Sequence, residues 1–256
     1  MKKEKDNDKI INLLWTGGWD STFSLLSLTL KYYRTVQPIY LIDEDRKSIR
    51  AEFLAMKKLR ELLSTKYPHT RELIKPARYF AVSEIPANDG ISSAYESLKV
   101  GTRLGNQYDW LARFCDWQNL NELVMSIEFQ TIPEKIIRDY IIKYKNGSLE
   151  SFKLDPMHKE TAIYSVFSYY TYPLLKISKP EMKAITEQEG WSPVMAQTWF
   201  CHNPTKNLKP CGFCNPCKHA YEGGNGNQIT IVRQKAGWAA RELVRIKRKL
   251  IGRIPL

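Results

Sequence analysis

The residues best suited to chemistry stand near the start of this 256-residue chain, in Leu13-Leu14-Trp15-Thr16-Gly17-Gly18-Trp19-Asp20-Ser21-Thr22. An apolar, strand-like run ends in a glycine pair and passes through Asp-Ser-Thr into a helix-like pattern carrying Phe23, Leu25, Leu26 and Leu28. Two glycines let the backbone turn tightly enough for successive N–H groups to point at one ligand. A helix starting near Ser21 aims its positive end at the same place, and Ser21 and Thr22 add hydroxyl donors. A carboxylate is repelled by a bare phosphate, so Asp20 would act there through a Mg2+ ion or a substrate amine. The competing reading makes Asp20 or Ser21 a plain helix cap behind a glycine turn. The chain contains no Walker A pattern.

A second constellation lies late in the chain. Cys201, Cys211, Cys214 and Cys217 form a Cys-x9-Cys-x2-Cys-x2-Cys cluster, and only Cys115 lies outside it. Four thiolates at such spacings fit a closed tetrahedral Zn2+ site. Two disulfides are the first alternative, and they suit an oxidising compartment rather than a chain read as cytosolic. A redox Cys-x-x-Cys pair is the second, and it leaves two cysteines unused. His202 and His219 flank the cluster and are expected outside the ligand set. Gly212 and Pro216 suit the tight turns of a metal knuckle. The ion would serve to fold a short segment with little core of its own.

The elements that must position these residues alternate. Strand-like runs at Ile10–Trp15, Val36–Asp43, Arg78–Val82 and Glu122–Ile127 are separated by helical patterns, among them Arg50–Leu63 and Arg103–Leu120. The Arg50–Leu63 pattern sets Phe53, Leu54, Met56, Lys57, Leu59, Leu62 and Leu63 on its apolar face and flanks. Such alternation predicts right-handed crossovers and a parallel sheet, with ligands at the carboxyl ends of the strands. Gly17-Gly18, Asp43 and Ser126–Glu128 fall on that edge. A carboxylate at Asp43 could hold a ribose hydroxyl or a metal, and beside Glu44 and Asp45 it reads equally as a turn residue.

The length suits one sizeable α/β domain with a small appendage. The organisation read from the pattern is a charged tail over 1–9, an α/β domain over 10–190, a four-cysteine zinc module over 191–222, and a linker with a basic amphipathic helix over 223–256. No apolar run approaches the ~20 residues of a membrane span. The charged start, Met1 to Lys9, lacks the apolar core of a signal peptide, and the protein is expected to be soluble and cytoplasmic. Net charge is +12, and from Arg233 to Leu256 eight basic residues face Glu242 alone. Ala239, Leu243, Ile246 and Leu250 recur there at helical spacing. Docking of that stripe on the chain's own domain is the plain expectation. An outward Arg/Lys face would bind a nucleic-acid or other anionic partner in a salt-dependent way.

Thr16-Gly17-Gly18-Trp19-Asp20-Ser21 resembles the Ser-Gly-Gly-x-Asp-Ser loop of the PP-loop ATP pyrophosphatases, with Thr in place of the first Ser. The resemblance implies a Rossmann-like, adenine nucleotide alpha hydrolase fold. It also implies a loop that holds the pyrophosphate of ATP while a substrate oxygen attacks the α-phosphorus. The cysteine cluster, as Thr198-Trp199-Phe200-Cys201 followed by Cys211-Gly212-Phe213-Cys214-Asn215-Pro216-Cys217, is similar to that of the 7-cyano-7-deazaguanine synthase (QueC) family, where it binds zinc. Pro173-Leu174-Leu175-Lys176-Ile177-Ser178-Lys179 with Glu181 resembles the segment before it, and Arg103 with Asn106 resembles a Pro-x-Arg-Asn helix opening. Two departures stand out. The family's Asp-Tyr-Gly-Gln-Arg-His is replaced by Asp43-Glu44-Asp45-Arg46-Lys47-Ser48, and its deazapurine motif by Ser126-Ile127-Glu128-Phe129-Gln130-Thr131.

The resemblance implies an ATP-dependent enzyme that adenylates the carboxylate of a 7-deazaguanine and passes it to ammonia as amide and then nitrile. Thr16, Gly17, Gly18, Trp19, Asp20, Ser21, Thr22 and Asp43 would bind ATP and Mg2+. Asp20, Ser21, Arg103 and Lys179 would serve catalysis, the four cysteines would hold Zn2+, and the protein would be a homodimer. Three alternatives stay open: a ligase that passes the activated deazapurine to a protein or nucleic acid, in defence or DNA modification; a PP-loop tRNA-modifying enzyme; and a binding protein without catalysis.

Overall fold

The computed structural model describes residues 9–223, 226 and 228–251. The charged tail before Lys9, part of the glycine-asparagine linker (Gly224, Asn225 and Asn227) and Arg253 lie outside the described residues. So do the side chains of Arg241 and of residues 244–251, which include Arg245, Ile246, Lys247, Arg248, Lys249 and Leu250.

Among the described residues seven strands form: β1 (Ile11–Leu14), β2 (Val36–Ile42), β3 (Arg78–Ala81), β4 (Leu123–Val124), β5 (Ile141–Asn146), β6 (Leu149–Leu154) and β7 (Tyr170–Thr171). The helices are α1 (Trp19–Leu26), α2 (Ile49–Lys66), α3 (Thr70–Leu73), α4 (Asp89–Lys99), α5 (Gln107–Trp117), α6 (Ile132–Ile137), α7 (Ala162–Phe167), α8 (Lys179–Gln188), α9 (Ser192–Met195), α10 (Asn215–Glu222) and α11 (Ile231–Ile251). Five strands make one sheet in the order β3-β2-β1-β4-β7, and every pairing in it is parallel. This is a Rossmann-like α/β fold. Its inner strands carry buried apolar residues on both faces, as a sheet covered on both sides requires. Leu13, Val36 and Tyr40 pack with α1, α2, α8 and α9, while Ile39, Leu41 and Tyr170 pack with α4, α5 and α7.

Chain order fixes the functional edge. From β1 the chain steps outward to β2 and β3, then returns to lay β4 on the other side of β1. The crossovers therefore diverge between β1 and β4, which opens a crevice at their carboxyl ends.

The structure amends the expected elements in five places. The fourth strand is two residues long, and the helix expected from Arg103 begins at Gln107, which leaves Arg103 on an exposed turn. On α2, Leu54 is half exposed while Glu52 is buried, because Tyr40 and Ser48 hydroxyls meet its carboxylate. The antiparallel hairpin β5–β6 turns through Gly147-Ser148, with Gly147 at positive φ. Arg34, fully buried, ties that turn down by donating to the Asn146 carbonyl and side-chain oxygens at 3.1 and 3.0 Å.

The fifth amendment is at α11, whose first turn rests on the cysteine segment: a Cβ on Gly212 would stand 2.6 Å from the Arg233 carbonyl oxygen. That seating leaves the stripe expected to dock undocked where it is described, since Leu243 is 68% exposed and Ala239 is exposed as well. Among the described residues no helix is long and apolar enough to cross a membrane.

Candidate functional site: the crevice between β1 and β4

The loop after β1 is built from the residue types that a tight turn demands. Gly17 sits at φ +70, and a Cβ there would press on Met56 at 3.1 Å, so both its conformation and its neighbours favour glycine. Gly18 caps α1 with extended backbone and no side-chain cap. The helix thus starts two residues earlier than the sequence pattern placed it, at Trp19, and Trp19, Asp20 and Ser21 form its first turn. Ser21 closes the loop, accepting the Thr16 N–H at 3.4 Å and donating to the Gly18 carbonyl at 3.3 Å. Thr22 is placed differently from the role expected of it. It is fully buried and its hydroxyl accepts the Trp15 indole N–H at 3.1 Å, so it braces the core below the loop.

Asp20 faces Lys179, with which it forms an ion pair. Lys179 is the first residue of α8, where a capping box fixes its backbone: Ser178 accepts from the Glu181 N–H, and the Glu181 carboxylate accepts the Ser178 N–H at 2.7 Å. The same ammonium lies 3.2 Å from Glu128 Oε2. Glu128 follows β4, and its segment is held to the one before α8 by the Phe129 N–H bonding to the Ile177 carbonyl at 3.2 Å. Asp20, Lys179 and Glu128 thus arrive from three elements at the mouth of the crevice. A Ser24–Ser126 hydroxyl bond of 2.8 Å joins α1 to the end of β4 just below. Burial, and then the charge of Asp20, push the Glu128 carboxyl up from 4.5 to about 7 against the pull of Lys179.

Sequence reasoning placed Asp20 and Lys179 as candidates and missed Glu128. The available signal was an acidic residue directly after a strand on the ligand-binding edge. Asp43 directly follows β2, where its carbonyl accepts the Arg46 N–H at 2.8 Å. Beside it Glu52 takes the Tyr40 hydroxyl at 2.7 Å, the Ser48 hydroxyl at 2.5 Å and, at 3.5 Å, the Arg46 guanidinium. Among the described residues no ion pair joins Asp43 or Arg103 to the crevice.

The four cysteines converge. Their sulfurs all lie within 4.8 Å of one another, with Cys214 at 3.4 Å from Cys217 and 3.9 Å from Cys201, and Cys211 at 3.8 Å from Cys217. A tetrahedral ion with metal–sulfur bonds of about 2.3 Å sets its sulfurs about 3.8 Å apart, so the donor set fits one ion. Backbone N–H groups of Phe213 and Cys214 point at Cys211 Sγ at 3.3 and 3.4 Å, the turn being made by Gly212 at φ +81. Neither His202 nor His219 joins the cluster.

The two regions touch. Trp199, two residues before Cys201, donates its N–H to the Gly17 carbonyl at 2.8 Å, and its indole N–H to the Cys201 carbonyl at 2.7 Å. One residue therefore links the glycine loop to the cysteine knuckle.

A parallel sheet with a glycine turn after its first strand and charged groups at the switch point defines a Rossmann-like α/β protein with a four-cysteine module. No family model matches the chain, and no curated protein matches its sequence. Among solved structures it is similar to the U34-tRNA thiolase NcsA from Methanococcus maripaludis, determined with its 4Fe–4S cluster. Identity is 12%, the match covers 98% of this chain and 75% of that one, and the TM-score is 0.44. A likeness of that degree bears on neither ligand nor reaction.

Proposed function

We propose that the chain is an ATP-dependent, adenylate-forming enzyme of the PP-loop type, similar to 7-cyano-7-deazaguanine synthase and acting on the carboxylate of a 7-deazaguanine. The observation that carries this reading is the convergence of the Gly17-Gly18 loop, Asp20 and Lys179 at the switch point between β1 and β4. The free N–H groups at the start of α1 suit the pyrophosphate of ATP. Asp20 would hold Mg2+, whose charge stabilises the departing pyrophosphate, and Lys179 would neutralise phosphate or orient the substrate carboxylate.

The chemistry follows from the substrate. A carboxylate is a poor electrophile because oxide leaves badly. Its attack on the α-phosphorus gives an acyl adenylate, from which AMP leaves readily when ammonia attacks. The cysteines would hold Zn2+ as a structural ion. Sulfur spacings near those of a single tetrahedral ion support that choice over a cluster, whose several irons spread their ligands further apart. A second reading, transfer of the acyl group to a macromolecular amine, draws support from the basic segment on α11.

The test is incubation of purified protein with labelled ATP, Mg2+, ammonium and 7-carboxy-7-deazaguanine, following AMP and the deazapurine by mass spectrometry. AMP with amide or nitrile is expected, and Asp20→Ala should lower turnover at least about a hundredfold. AMP without either product would favour the second reading, and absence of AMP would count against adenylation. Metal analysis should return one zinc per chain and no iron.

A further inference from the structure

Glu128 is a carboxylate at the crevice whose surroundings do not complete it. Its Oε2 is shielded from solvent and has no hydrogen-bond partner among the described residues. The Lys179 ammonium lies close, at 3.2 Å, yet off the line that a hydrogen bond needs. A buried acceptor left without an aligned donor is costly, and such a group in a crevice marks a place where a ligand supplies the donor. The neighbours say which donor. Asp20 and Glu128 flank one cation, and that cation is a primary ammonium on an alkyl chain. The space between the two carboxylates is thus shaped and charged for an R–NH3+ or NH4+ group.

Resting on the adenylation proposed above, we infer that Glu128 is the catalytic residue of the amine half of the reaction, receiving the incoming ammonium-type nucleophile and taking its proton. Glu128 Oε2 accepts one proton from the ammonium, which frees the nitrogen lone pair. That pair bonds to the acyl carbon of the adenylate, the bond from that carbon to the phosphate oxygen breaks, and AMP leaves with the electrons. The second surplus proton on nitrogen passes to solvent, and the amide remains. The charged groups facing Glu128 are Asp20 from α1 and Lys179 from α8, and both suit the role. Asp20 favours the protonated form of Glu128, and Lys179 favours the ionised form, so the group is poised near neutral pH, where a general base is most effective.

Two experiments on the full chain test this. The first compares ATP–pyrophosphate exchange with amide formation from ammonium. In Glu128→Gln the ratio of amide formation to exchange should fall about a hundredfold. Hydroxylamine, which arrives uncharged near neutral pH, should restore it, and the rise of amide formation with pH through about 7 should disappear. Equal loss of exchange and amide, or no change in their ratio, would overturn the assignment.

The second experiment needs no turnover. Lys179→Ala empties the space between the carboxylates. Propylammonium should then raise the melting midpoint of Lys179→Ala by about 2 °C or more, and leave the Lys179→Ala/Glu128→Gln double variant unmoved. No difference between the two would remove Glu128 from ammonium binding, whatever becomes of adenylation. A wild-type protein without exchange would instead remove the adenylation reading.

Discussion

Two acidic side chains at the same edge of the sheet have opposite surroundings. Glu52, on α2 against the end of β2, is buried and met by two hydroxyls and a guanidinium. Glu128, after β4, is nearly as enclosed, and meets one shared ammonium. Burial then acts on different groups. At β2 the burden falls on the Tyr40 phenol, whose ionisation is pushed far up, first by its own burial and then by the Glu52 charge. At β4 it falls on the carboxyl itself, which rises to about 7. A carboxylate supplied with donors is a structural strut. One denied them keeps its proton close to neutral pH and is available for exchange.

The comparison breaks most visibly at Glu52. Replacing it with Ala strands the buried Tyr40 and Ser48 hydroxyls and removes the partner of the half-buried Arg46 guanidinium, and should lower unfolding free energy by about 3 kcal/mol in a denaturant titration. A loss below about 1 kcal/mol would mean that water replaces the carboxylate there.

Glu128→Gln should act the other way. The folded carboxyl titrates near 7 and the unfolded one near 4.5, so the native state holds more protons between those values, and stability falls as pH rises through that window. Removing the charge should flatten that fall and stabilise the protein by about 1 kcal/mol above pH about 7.5. A wild-type curve that rises with pH across the same window would show a carboxylate already satisfied. The smallest effect is expected from Tyr40→Phe, which removes one of three partners from Glu52 and should cost about 1 kcal/mol or less. If it costs as much as Glu52→Ala, the phenol rather than the carboxylate organises that network.

Much of this architecture is written locally. The apolar runs of β1 and β2, the glycine pair between β1 and α1, and the cysteine spacings each depend on near neighbours, so their residue types speak for themselves. What escaped is what distant segments decide. Glu128 gains its meaning from Asp20 and Lys179, far away in the chain, and a lone acid after a short apolar run carries no periodic signal. Glu52 occupies a position on α2 that helical spacing reads as polar, and only hydroxyls from β2 and the intervening loop make its burial tolerable. Leu54 shows the converse, an apolar residue at a plausible core position that the docking angle of α2 turns outward. The basic helix was legible as a helix, while its resting place was not, because the contact is made by Gly212 and a backbone carbonyl rather than by its apolar stripe.

The bond from Trp199 to the Gly17 carbonyl joins two segments far apart in the chain, and it carries a consequence for biosynthesis. The glycine turn is synthesised well before the residues that complete it, since Trp199, Lys179 and the cysteine knuckle all come later in the chain. A nascent or truncated chain can lay down β1, β2 and β3 and still lack the cation opposite Asp20 and the strap over Gly17. The crevice closes only on a chain carried through to its cysteines, so incomplete translation products should be inert by construction.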